Sequence, residues 1–190
     1  MSSKQRGKNS ESLARVISRV GVDDSWDFLL VGDGSGSGWD IGCGWGVVLI
    51  ERDTMKRHLF YGAMHPGTVM LGEIMPYLQA LTWLQAELEK RRKRGSVLRR
   101  VHNIHILTDS MANKVIGSRT DKQVSKKNRG FWAIMTMLER QGLRIKWHHV
   151  KRESVALNRV ADKLSKLSRR SLLRVETYAD SVNRQETINP

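Results

Sequence analysis

What the chain lacks narrows it first. It has one cysteine, Cys43, in 190 residues, which rules out an internal disulfide framework and fits an intracellular, reducing compartment. A small buried side chain is the expected role of that thiol. No apolar run approaches the roughly 18 residues needed to span a bilayer; the longest, Gly46 to Ile50, is strand-sized. Lys4, Arg6 and Lys8 have no apolar segment behind them, so neither a signal peptide nor a membrane-spanning segment is expected. No Cys/His spacing suggests zinc, and no internal repeat is visible. Acidic residues are scarce: 19 Asp and Glu stand against 33 Lys and Arg, a net charge of +14. That excess is the electrostatic footprint of a polyanion binder, nucleic acid first.

A hydrophobic fraction of 39% over this length suits one domain with tails. The expected division is a basic N-terminal tail with a short amphipathic helix (1–25), a folded domain (26–170) and a C-terminal helical extension or tail (171–190). In the first part Ser10 can cap a helix whose Leu13, Val16, Ile17 and Val20 share one face, with Gly21 as its stop. Phe28 to Val31 reads as a buried strand leading into a Gly/Ser-rich turn from Gly32 to Gly38. Gly44–Glu51 and His58–Gly62 read as two more strands. A helix is expected over Gly72–Lys93, with Pro76 near its first turn and Ile74, Leu78, Leu81, Leu84 and Leu88 on a stripe. A strand at Val101–Thr108, short and long helices at Met111–Ile116 and Gly130–Arg140, a strand at Leu143–Val150 and a basic helix from Ala156 to about Tyr178 complete the pattern. Three strands followed by alternation with helices predict an α/β fold: a mixed five-stranded sheet, its first three strands antiparallel, flanked by helices.

Four acids sit where this order would gather them. Asp33 and Asp109 end the first and fourth strands, so parallel neighbours would bring both to one sheet edge, where ligands bind in open α/β sheets. Glu73 lies in the expected first turn of the long helix, and Asp162 on the last helix can reach the same edge. Each alone has a bland role: Asp33 in a structural turn, Glu73 favouring a helix N-terminus, Asp109 capping a helix, Asp162 solvated. Together they repel unless a cation neutralises them, and an all-oxygen set suits Mg²⁺ or Mn²⁺.

The local motifs resemble those of the ribonuclease H family. Asp33-Gly34-Ser35 with Gly44-Trp45-Gly46 is similar to its opening turn and second strand. Leu71-Gly72-Glu73 with Ala80-Leu81 is similar to its helix-borne Glu, and Leu107-Thr108-Asp109-Ser110 to its Thr-Asp-Ser signature. Trp147-His148-His149-Val150-Lys151 with Asn158-Arg159-Val160-Ala161-Asp162 resembles its closing motif. The likeness spans about 27–168 in the right order. It implies a two-metal endonuclease for the RNA strand of RNA/DNA hybrids, with two Mg²⁺ or Mn²⁺ ions. Asp33 would bridge both ions, Glu73 and Asp109 would hold one, and Asp162 the other.

The resemblance also implies contacts to nucleic acid. Gly34, Ser35, Ser110, Lys151 and Asn158 lie in or beside the motifs. Thr68 stands where the family can place a hydroxyl near a DNA-strand phosphate. Lys122, Lys126, Lys127 and Arg129 lie in a segment too short for the family's basic protrusion. A His that many members carry after Val-Lys is replaced by Arg152-Glu153-Ser154, leaving Glu153 or His149 as auxiliary candidates. Val69-Met70-Leu71-Gly72 replaces an Asn-rich stretch that reads the RNA strand. The alternatives are a nuclease of this fold for DNA junctions or double-stranded RNA, and a non-catalytic nucleic-acid-binding module. The N- or C-terminal helix offers a surface to a protein partner; a membrane partner is not expected.

Overall fold

The computed structural model describes residues 13–23, 25–36, 42–96, 101–110, 129–151, 156–172 and 182–188. In chain order the elements are α1 (Leu13–Arg19), β1 (Phe28–Gly36), β2 (Cys43–Glu51), β3 (Arg57–Met64), α2 (Val69–Lys93), β4 (His102–Thr108), α3 (Arg129–Arg140), β5 (Leu143–His149), α4 (Ala156–Leu172) and β6 (Val182–Ile188). The expected mixed sheet is present. β1, β2 and β3 form an antiparallel meander, β4 pairs parallel with β1, and β5 parallel with β4. A sixth strand, β6, pairs antiparallel with β3, giving the order β5-β4-β1-β2-β3-β6.

Alternating residues divide the core in two. Leu30, Val47, Leu49, Ile104 and Ile106 face α2 and α3 and meet Tyr77, Leu81, Leu84, Phe131 and Leu138. Leu29, Val31, Val48, Ile50 and Leu107 point the other way and meet Leu157 of α4 together with Val16 and Val22. α1 therefore spends its apolar face inside the chain's own core: Val16 is fully buried, and Ile17 and Val20 pack beside it. A protein partner would have to use a different face. Lys146 adds an ion pair to Asp23 at 2.8 Å, and its hydrogen bond holds that carboxyl below the usual range.

The structure corrects several local expectations. Asp33 is not in a turn, because β1 continues through Gly36 and pairs with Gly46 to Cys43 of β2. α2 begins at Val69, capped by the Thr68 hydroxyl, which accepts from the Leu71 N–H at 3.2 Å. Glu73 thus lies in the second turn rather than the first. Pro76 is in the helix interior, where its missing N–H leaves the Gly72 carbonyl outside the i→i−4 ladder. Residues 182–188 form a strand where a tail was expected. The expected Ser10 cap and the helix at 111–116 lie outside the described residues, as does 173–178 of the last helix. Cys43 is buried; burial pushes its thiol pKa up, opposed by a hydrogen bond from the Gly72 backbone. Among the described residues no helix is long and apolar enough to cross a membrane.

Candidate metal centre

The parallel register of β1 and β4 positions the first two acids. Phe28 pairs with Ile104 and Val31 with Leu107; carried two residues further, the same offset sets Asp33 level with Asp109. Asp109 directly follows β4, and Asp33 lies within β1 just past Val31, where the parallel pairing with β4 stops. Glu73 reaches them from α2, and ligand oxygens of Asp33, Glu73 and Asp109 all lie within 4.8 Å of one another. Asp33 is 5% exposed.

Glycines explain how two helices come so close to this edge. A Cβ on Gly34 would stand 2.5 Å from the Glu73 nitrogen and 2.6 Å from the Gly72 oxygen, so the backbone of α2 lies directly on β1. On the other face, a Cβ on Gly44 would collide with the Ser165 carbonyl. One on Gly46 would sit 2.6 Å from Leu164 Cβ and 2.7 Å from the Ala161 oxygen. The Gly-Trp-Gly of β2 is thus the seat of α4, and α4 carries Asp162.

Asp162 stands apart from the three-acid cluster. It lines a cavity of ≈ 240 Å³ with Asp33, Asp109, Asn158, Arg159, Lys163 and Lys166. Lys166 Nζ lies 2.7 Å from its carboxylate, one helical turn on. Asn158 is 4% exposed and its Oδ1 is buried with no hydrogen-bond partner in the structure. The Ser35 hydroxyl is likewise buried without one. A buried polar atom left unpaired costs on the order of 1–3 kcal/mol, so both mark places where water or a ligand would complete the site. Three converging carboxylates and an amide oxygen form a hard donor set that fits Mg²⁺ or Mn²⁺. The donor set does not choose between the two.

Tyr77, one turn after Glu73, lies beneath the acids and gives its hydroxyl proton to the Gly32 carbonyl at 3.0 Å. Burial, and then the charges of Glu73, Asp109 and Asp33, push its pKa up against a hydrogen bond with Thr108. Helical spacing from Glu73 was the signal in the sequence for this support. The cations of α4 that line the cavity, Arg159, Lys163 and Lys166, were also missed.

The remaining sequence candidates are spread around this centre. The Ser110 N–H donates to Thr108 Oγ1 at 3.1 Å, and His149 Nε2 lies 3.2 Å from the Asp109 carbonyl oxygen. His149 and Lys151 line a neighbouring cavity of ≈ 350 Å³ with Arg19, Val20, Trp147 and His148. Both histidines are partly buried, rather than one facing the core and one facing out. Thr68 caps the helix that carries Glu73, and Arg129 opens α3 at the surface. Lys122, Lys126, Lys127 and Glu153 lie outside the described residues.

This sheet order and helix placement define the ribonuclease H-like fold, and solved structures agree. LC11 RNase H1 in complex with an RNA/DNA hybrid superposes with a TM-score of 0.63 at 18% identity, over 77% of this chain and 99% of that one. The N-terminal RNase H domain of a Mycobacterium tuberculosis protein gives 0.59 at 20% identity, over 77% and 96%. RNase H1 of the archaeon Halobacterium salinarum gives 0.57 at 18%, over 76% and 98%. No protein-family model and no curated protein sequence matches the chain. The chain has the ribonuclease H-like fold, and at these identities the likeness speaks to fold alone.

Proposed function

We propose that this chain is a metal-dependent endonuclease that hydrolyses the RNA strand of RNA/DNA hybrids. The observation that carries the reading is the convergence of Asp33, Glu73 and Asp109 within 4.8 Å on a chain of net charge +14. Asp33 would bridge two ions, Glu73 and Asp109 would hold one, and Asp162 would complete the other after leaving Lys166. Two bound Mg²⁺ or Mn²⁺ ions supply an activated water for in-line attack and stabilise the departing 3′ oxygen. The protein fixes the acids on a rigid sheet edge, and Gly34, Gly44 and Gly46 set the distance of both helices.

Glu73 would also meet a ribose 2′-hydroxyl, the group that separates RNA from DNA. Ser35 and Asn158 offer unpaired buried oxygens, while Ser110 next to Asp109, Lys151 in the neighbouring cavity and Thr68 at the cap of α2 would contact the nucleic acid. The Thr68 oxygen accepts from Leu71, and its own proton stays available for a phosphate. Cleavage leaves 5′-phosphate and 3′-hydroxyl ends.

A second reading keeps the chemistry and changes the substrate to DNA junctions or double-stranded RNA. It is favoured by Val69 and Met70, which are 47% and 40% exposed one turn before Glu73 and carry no side-chain hydrogen-bonding group for a base edge. The deciding experiment incubates the chain with end-labelled RNA/DNA hybrid, double-stranded RNA, double-stranded DNA and branched DNA, in Mg²⁺, Mn²⁺ or EDTA. Metal-dependent nicking confined to the hybrid's RNA strand is expected. Cutting of another substrate selects the second reading, and binding without cutting in either metal removes both.

A further inference from the structure

α4 carries a row of cations that the acid cluster does not account for. Arg159, Lys163, Lys166 and Arg170 are spaced four, three and four residues apart. At about 100° per residue they fall within an arc of about 60° on one helix face. The opposite face is fixed against the sheet: Leu157, Ala161, Ser165 and Ser168 are buried, and Ala161, Leu164 and Ser165 crowd Gly44 and Gly46. Lys163, Lys166 and Arg170 are exposed and Arg159 is partly so. The row begins inside the site, because Arg159, Lys163 and Lys166 line the cavity shared by Asp33 and Asp109. In that cavity Asn158 also holds its unpartnered, buried Oδ1.

We infer that this row is a phosphate track that carries the backbone of the cut strand away from the scissile bond along α4. The inference rests on the nucleic-acid reading of the site and extends it to a contact surface and its ligand. From Arg159 to Arg170 the helix rises about 16 Å, the length of about five steps at 3.4 Å per step of one strand. Asp162 is the one acid of α4, and Lys166 already faces it. α4 contains no aromatic residue on which a base could stack. The contact is therefore with phosphates, is indifferent to sequence, and is electrostatic.

Neutralising two members tests the track without touching the acids. Binding of a fluorescent RNA/DNA hybrid to the full chain is measured in EDTA across a salt series, with no turnover, so the result is independent of whether the acids cut. Lys163→Gln/Arg170→Gln is compared with Lys56→Gln/Arg57→Gln. The control makes the same charge change at the far end of the sheet, where Arg57 pairs with Ile50. Each lost phosphate contact lowers the slope of log affinity against log salt by about 0.7–0.9. The α4 variant should lose about 1.4–1.8 in slope and the control should keep the parental value. Equal slopes for the two variants, or no salt-sensitive binding by the parent chain, would overturn the track.

Discussion

His105 is fully buried in β4, and its Nδ1 lies 2.9 Å from Nε2 of His148, whose Nδ1 is 3.1 Å from the Val20 carbonyl oxygen. A carbonyl only accepts, so His148 carries a proton on Nδ1, and in the neutral ring its Nε2 accepts from His105. A second proton on His105 would sit on its Nε2, which is buried with no hydrogen-bond partner. Burial, reinforced by His148, lowers the His105 pKa from 6.5 to about 4. Between those values the unfolded chain binds a proton that the folded chain refuses, so stability rises with pH across that window. The contribution is complete above about 6.5 and is lost as pH falls toward 4. At 1.36 kcal/mol per unit, the parent should lose about 2 kcal/mol between pH 7.5 and pH 5 beyond any loss in His105→Gln. Urea titrations at the two pH values measure it; parallel losses in the two proteins would contradict the assignment. Glu51 acts at the acid end. Burial raises its pKa, but His58 and Arg91 at 2.7 and 2.9 Å outweigh that and hold it at about 2. Its contribution is present above about 4.5 and fades as pH falls through 2.

The helices reach the site because of where glycine stands in the strands, and this gives opposite signs to two similar substitutions. Gly44→Ala would drive a methyl into the Ser165 carbonyl and stand 2.7 Å from the Arg169 nitrogen, forcing α4 off the sheet. A loss of about 1–3 kcal/mol is expected from overpacking, together with a fall in cleavage as Asp162 moves. Gly130→Ala, in α3 with no atom within 4 Å of the new methyl, should stabilise by up to about 1 kcal/mol. Thermal melts of the two variants check the signs; destabilisation by both would mean that generic glycine loss, not close approach, is at work. β6 supports a different prediction. Removing residues 173–190 uncovers the β3 edge, whose His58–Ala63 run is buried, and an open apolar edge invites pairing with another copy. The truncated chain should associate with rising concentration in sedimentation, whereas a monomer of unchanged stability would show that β6 is dispensable.

At the scale of the whole molecule, most of the sheet and the convergence of Asp33, Glu73 and Asp109 were legible in the sequence, since strand order, helix order and the Thr-Asp-Ser and Gly-Trp-Gly motifs are all local signals. Contacts set by tertiary packing were less legible. The start of α2 at Val69 was hidden by Gly72 and Pro76, which read as a boundary and are instead buried against β1 and β2. β6 has no apolar alternation in Val182–Ile188, because its place is given by the free backbone of β3. Asp162 was legible as a motif member, but its pairing with Lys166 and its distance from the other three acids were not. The central claim is that Asp33, Glu73 and Asp109 form a metal-holding catalytic centre. Single-turnover cleavage of an end-labelled RNA/DNA hybrid in Mg²⁺ by the parent chain and by Asp109→Asn, with hybrid affinity measured alongside in EDTA, tests it most directly. The account predicts metal-dependent nicking of the RNA strand by the parent and a loss of at least about 10²-fold in the variant, with binding preserved. Equal cleavage by the two proteins would contradict it.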